Sequence, residues 1–225
     1  MIIVISSCTP CLDGHGEIIS EVREVDDFTK IEVDVPADVY IHIGEFYKVS
    51  VQTHSDLIGL ITTEVRGNSL RIDADPCIGS VDKFRIDVVV KKLTDIDLNG
   101  SCRLKTSKSV IRAEDFSINI NGSSELMIDL QSEYVRAKIN GSGGIYLKGK
   151  AHELKLKING SGDFNGFNFQ TSDASIKING SGDAKIIASD RLDAEISGSG
   201  DVKYKGEPRK LKTKVNGSGS VVKVD

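Results

Sequence analysis

Asn159-Gly160-Ser161-Gly162-Asp163 decides the fold, because near copies of it recur along the chain. They begin at Asn99, Asn121, Asn140, Asn179, Ser197 and Asn216, so the first glycines fall at Gly100, Gly122, Gly141, Gly160, Gly180, Gly198 and Gly217. The intervals are 22, 19, 19, 20, 18 and 19 residues. A short motif returning at so steady a period signals a repeat architecture in which each copy belongs to one structural rung.

Working outward from the glycine, the flanking positions fall into columns. Two residues before it stand Leu98, Ile120, Ile139, Ile158, Ile178, Ile196 and Val215, all aliphatic. Four before stand Ile96, Ile118, Ala137, Leu156, Ile176, Ala194 and Thr213; four after stand Leu104, Leu126, Ile145, Phe164, Ala184, Val202 and Val221. On a strand, residues two apart share a side, so these columns face inward and stack as ladders. The alternate positions are polar: Asp97, Asn119, Lys138, Lys157, Lys177, Glu195 and Lys214 three before, and Asp95, Ser117, Arg136, Lys155, Ser175, Asp193 and Lys212 five before. In/out alternation on every rung, with a Gly-rich corner between strands, describes an all-β right-handed parallel β-helix with rungs of about 19 residues. A short polar third side, as in Ala188-Ser189-Asp190-Arg191 and Gly206-Glu207-Pro208-Arg209, is the expected loop face and the expected seat of most length variation.

The motif itself reads as structural. Glycine permits a sharp corner where stacked rungs leave no room for a side chain. The preceding asparagines, Asn99, Asn121, Asn140, Asn159, Asn179 and Asn216, can form a ladder of side-chain amide hydrogen bonds.

Residues 17–98 lack the motif but alternate with period two through Ile31/Val33/Val35, Val39/Ile41/Ile43, Val49/Val51, Leu70/Ile72 and Ile86/Val88/Val90. Ile31 to Tyr40 aligns with Ile176 to Lys185 as a degenerate eighth copy. The 65 residues from Val35 to Gly100 then hold either about three rungs or one rung with a hairpin excursion. The expected organisation is a truncated lipoprotein signal and tether over 1–16 and one β-helix over 17–225, irregular to 98 and regular from 99.

Several classes are disfavoured. A formal net charge of −4 argues against a generally basic nucleic-acid binder. No run approaches the roughly 18 apolar residues of a membrane-crossing helix. Ile5-Ser6-Ser7-Cys8 is similar to a bacterial lipobox, which makes Cys8 the expected site of lipid attachment, although the basic and apolar regions of a signal are truncated. Thr9 to Glu17 then reads as a polar tether. Cys8, Cys11, Cys77 and Cys102 lack zinc-site spacing; export would allow Cys77 and Cys102 to pair, but both are expected free.

Val25-Asp26-Asp27-Phe28-Thr29-Lys30-Ile31-Glu32-Val33, Ala37-Asp38-Val39-Tyr40-Ile41, and Leu93-Thr94-Asp95-Ile96-Asp97-Leu98-Asn99-Gly100-Ser101, followed by the Gly-Ser-Gly-Asp rungs, carry a resemblance. Over about residues 22 to 225 the chain resembles the putative auto-transporter adhesin, head GIN domain family of bacterial exported proteins. The resemblance implies a β-helical fold, export to the cell envelope, frequent lipid anchoring at the outer membrane or surface of Bacteroidetes-like Gram-negative bacteria, and an adhesive role. It supplies no catalytic residues.

Arg136, Lys138, Lys155, Lys157 and Lys177 form one outward basic patch if the rungs stack in register, suited to an anionic glycan or headgroup, although a solvated lysine face is the commoner role of such residues. Asp163, Asp183 and Asp201 share a column that could attract calcium, but capping hydrogen bonds or lysine pairing are the expected use, and no metal or cofactor is assigned. The histidines His15, His42, His54 and His152 are scattered, and His42 is expected to be simply exposed. A glycan or cell-surface protein is the expected partner. A polysaccharide lyase or hydrolase with a site on the loop face is the alternative. The final rung, Val221 to Val224, invites end-to-end self-association.

Overall fold

The structure is a computed structural model that describes residues 11–225; Cys8 and the lipobox lie outside the described residues. Sixteen strands join in one sheet. In chain order they are β1 (Ile18–Arg23), β2 (Lys30–Val33), β3 (Asp38–Ile43), β4 (Lys48–His54), β5 (Ile61–Arg66), β6 (Ser69–Ala74), β7 (Arg85–Val90), β8 (Asp95–Gly100), β9 (Arg103–Gly122), β10 (Glu125–Gly141), β11 (Gly144–Gly160), β12 (Asp163–Gly180), β13 (Ala184–Gly198), β14 (Asp201–Lys205), β15 (Lys210–Gly217) and β16 (Ser220–Lys223). Among the described residues the only helix is a 3-10 turn at Ile58–Leu60.

From β8 onward every pairing is parallel, and the motif corners stand in register: Gly100 faces Gly122, then Gly141, Gly160, Gly180, Gly198 and Gly217. The molecule is a β-solenoid with rungs of about 19 residues. The aliphatic columns run down its interior, where Leu98, Ile120, Ile139, Ile158, Ile178 and Ile196 are all 0% exposed. Burial of each such side chain contributes about 1.5–3 kcal/mol, so the columns hold the rungs together. On the last rung the ladder opens to solvent, with Leu211 and Val215 exposed.

The corner shows why its residues recur. Gly160 has φ +123°, and a Cβ there would collide with the carbonyl oxygen of Gly141 on the rung before. That oxygen is occupied, accepting the backbone N–H of Ser161 at 2.9 Å. The asparagines form the expected ladder, and it is polarised. Nδ2 of Asn179 donates to Oδ1 of Asn159, Asn159 to Asn140, Asn140 to Asn121 and Asn121 to Asn99, at 2.8–3.0 Å. Asn99 donates to the carboxylate of Asp34 at 2.5 Å, and Arg71 pairs with the other oxygen of that carboxylate at 3.2 Å. Ser197 interrupts the series before Asn216.

The region from Val35 to Gly100 combines the two arrangements expected of it. The degenerate copy is a true rung: β2 pairs in parallel with β8 and β3 with β9, placing Val33 opposite Leu98 and Val39 opposite Leu104. A second rung, β6 and β7, stacks on the opposite side of β2 and β3, so the rungs are out of sequence order. The remainder forms antiparallel pairs, β5 with β6 and β4 with β7 and β1, which close this end of the stack.

Three expectations need correction. Cys77 is not free: it forms a disulfide with Cys11, while Cys102 is free and buried. Cys102 occupies the column of the second motif glycine, beside Ser124, which places it inside the stack. The largest length changes fall not on the third side but at the turn after the first strand of each rung. There the register shifts opposite Met127–Asp129 and Tyr146–Lys148 to absorb extra residues near 106–109 and 166–167. His42 is half-buried and bonded through Nε2 to Asp87 Oδ1 at 2.9 Å. In the expected tether, residues 11–15 lie against the body: Leu12 bridges to Ile78, Gly14 N–H donates to Ser80, and His15 N–H donates to Asp56.

Candidate functional site

Parallel registry turns a spacing in sequence into a surface. Lys138 is the Cα partner of Lys157, which is the partner of Lys177, and Arg136 is the partner of Lys155 in the adjacent outward column. All five side chains are exposed. Successive partners in a sheet lie about 4.8 Å apart, so the three lysines form a row of like charge whose mutual repulsion an anion would relieve.

The neighbours of these five residues differ. Arg136 pairs with Asp115 at 3.2 Å, Lys155 with Glu153 at 2.7 Å and Lys177 with Glu195 at 3.2 Å. Glu195 also takes Lys214 at 3.2 Å, and hydrogen bonds from the two lysines hold its carboxyl below the usual carboxylate range. Lys138 and Lys157 have no acidic partner among the described residues. They are the centre of positive charge on this face.

The aspartate column after the corner is occupied by backbone. Asp163 Oδ1 accepts the N–H of Asp183 at 3.2 Å, Asp183 that of Asp201 at 2.8 Å, and Asp201 both N–H and Oγ of Ser220 at 2.8 Å. Each carboxylate thus caps the next rung. Cys102 is equally inward: burial pushes its thiol up, and Sγ donates to Ser124 Oγ at 3.4 Å.

Two concavities escaped the sequence reading. On the third side, a groove of 660 Å³ gathers Arg112, Glu114, Glu133, Lys150 and His152, which are scattered in sequence and meet only through stacking. Beside the corners, a cleft of 540 Å³ opens at Gly143 and Gly144, with Tyr146, Arg103, Glu125 and Asp163 on its walls. The signal for the second was present: the aspartate column carries Gly144 in one rung, followed two residues later by an outward tyrosine.

Known proteins place this architecture. The family model described as "Putative auto-transporter adhesin, head GIN domain" matches residues 27–208. Among curated proteins, none matches. A solved structure described as a "putative adhesin" from Bacteroides fragilis is similar with TM-score 0.88 and 20% identity, over 95% of this chain and 100% of that one. Another "putative adhesin", from Parabacteroides merdae, has TM-score 0.77 and 23% identity over 96% and 100% of the two chains. A "putative lipid binding protein" from Parabacteroides distasonis has TM-score 0.80 and 24% identity over the same shares. At these identities the likeness establishes the shared fold.

Proposed function

This chain belongs to the "putative auto-transporter adhesin, head GIN domain" family, and from that premise we propose that it is an exported binding protein of a Gram-negative cell envelope. In this reading Cys8 carries the lipid and the solenoid displays its outward columns to a glycan. Export has independent support in the Cys11–Cys77 disulfide, a bond that persists in oxidising compartments. The similarity to adhesins of Bacteroides and Parabacteroides supports an outer-membrane or surface location.

The observation that carries the binding reading is the in-register row Lys138, Lys157 and Lys177, with Lys138 and Lys157 unneutralised among the described residues. An acidic polysaccharide lying along the stack would meet one ammonium per rung. Arg136 and Lys155 widen the strip, and their paired acids leave them weaker contributors. Oligogalacturonate and heparin are suitable probes, read against an uncharged polymer. Changing Lys138 and Lys157 together to Ala lowers polyanion affinity about tenfold and flattens its salt dependence. Equal binding by that variant removes the lysine row as the site.

A polysaccharide-active enzyme is the second reading, favoured by the convergence of Glu114, Glu133 and His152 in the third-side groove. It requires new reducing ends or unsaturated products from an acidic or neutral polysaccharide, lost in Glu133→Gln. Self-association through the last rung is a further part of the proposal, supported by the exposure of Leu211, Val215 and Val222.

A further inference from the structure

We propose that the cleft at Gly143–Gly144 is a second binding site, for an uncharged saccharide chain, with the Tyr146 ring as its stacking platform. It is separate from the lysine row in position and in ligand chemistry, and it stands whether or not that row binds an acidic glycan.

The cleft exists because one rung departs from the pattern of its neighbours. The outward column after the corner runs Arg103, Glu125, Gly144, Asp163, each the Cα partner of the next. Every member but Gly144 projects a charged side chain. Tyr146, two residues further along the same outward face, fills part of the gap: a Cβ at Gly144 would stand 3.1 Å from its Cε2 and 3.6 Å from its hydroxyl. The ring therefore lies over bare backbone, and it is 38% exposed. An exposed aromatic face held in place by its own strand offers the C–H groups of a sugar ring a flat, rigid surface at small entropic cost.

The walls suit hydroxyl groups rather than a charged ligand. Arg103 is already paired with Asp38 and Glu125, each at 3.0 Å. It retains guanidinium N–H groups beyond those two bonds, and the carboxylates retain lone pairs. Asp163 uses Oδ1 for the next rung and keeps Oδ2 for the cleft. The column thus offers one donor, Arg103, and two acceptors, Glu125 and Asp163, that flank the bare backbone of Gly144. On these walls the carboxylates Asp38, Asp82, Glu125 and Asp163 outnumber the cations Lys83 and Arg103, a balance that repels the polyanions the lysine row attracts.

Length is also indicated. Beyond the Tyr146 ring lies a further depression of 370 Å³, with Lys105, Met127, Asn165 and Asn168 among its walls. The tyrosine is shared by both hollows, so a saccharide running along the face would place a ring on it and extend to either side. Volumes of this order suit small ligands.

The test uses the folded chain and titration calorimetry with cellohexaose, xylohexaose, mannohexaose and maltohexaose. At least one binds the unchanged protein, and Tyr146→Ala weakens that binding about tenfold, while Tyr146→Phe retains it. Gly144→Asp gives the second arm. It installs the residue that this column carries at Asp163, Asp183 and Asp201, at a position without positive φ, so the fold tolerates it while the new side chain displaces the ring. It too loses saccharide binding, with an unchanged circular dichroism spectrum. The Lys138→Ala, Lys157→Ala protein binds the same saccharide normally, which separates this site from the lysine row. Absence of binding to all four oligosaccharides, or binding by Tyr146→Ala and Gly144→Asp equal to that of the unchanged protein, overturns the proposal.

Discussion

At the scale of single residues, the motif Asn and Gly do different work. Gly160 solves a steric problem, since its φ of +123° and the nearby Gly141 carbonyl both exclude a Cβ. Gly160→Ala should destabilise by at least ~3 kcal/mol, because backbone must move on two rungs. Asn159 solves a polar problem, donating to Asn140 and accepting from Asn179 in a half-buried row. Asn159→Ala leaves both neighbours with an unmet partner and should cost about 1–3 kcal/mol. The same logic predicts a gain. Ser197 stands in register between Asn179 and Asn216, and Ser197→Asn would join them, adding about 0.5–1.5 kcal/mol. Urea unfolding measures all three; a Ser197→Asn protein no more stable than its parent would deny the ladder energetic weight. The amide row was legible from spacing alone. Its terminus was not: Asp34 occupies the equivalent position in the degenerate copy, and Arg71 reaches it from a rung placed out of order.

At the scale of strands, identical corners impose registry, and registry makes surfaces. The lysine row is legible because period and alternation together assign each lysine a column and a face. The groove of Glu114, Glu133 and His152 is not, since it lies where the column pattern fades into the third side. β15 pairs with β13, and β16 with β14, leaving Leu211 and Val215 exposed where the preceding rung buries their counterparts Leu192 and Ile196. An unpaired strand edge with apolar side chains favours association with another such edge. Light scattering at increasing protein concentration should show self-association that Leu211→Lys with Val215→Lys abolishes. A parent protein that stays monomeric throughout would refute this use of the edge.

At the scale of the molecule, the early end of the stack is closed by antiparallel strands β1, β4 and β5, and the Cys11–Cys77 disulfide fastens residues 11–15 over it. The bond spans a sequence separation of 66 residues, so its loss releases a long loop in the unfolded chain. Cys77→Ser, or reduction of the parent, should lower stability by about 2–4 kcal/mol. Calorimetry with and without reductant checks this, and equal transitions would mean that the clamp contributes nothing to the fold. By itself the sequence determined the solenoid, its corners, its inward ladders and the lysine row, because each depends on a local period that strand geometry converts directly into position. The order of the early rungs, the partner of Cys77, the pairing that neutralises Arg136, Lys155 and Lys177, and the cleft beside Tyr146 were decided only in three dimensions. Each arises from contacts between segments with no shared period, where the nearest neighbour in space is set by how the rungs stack.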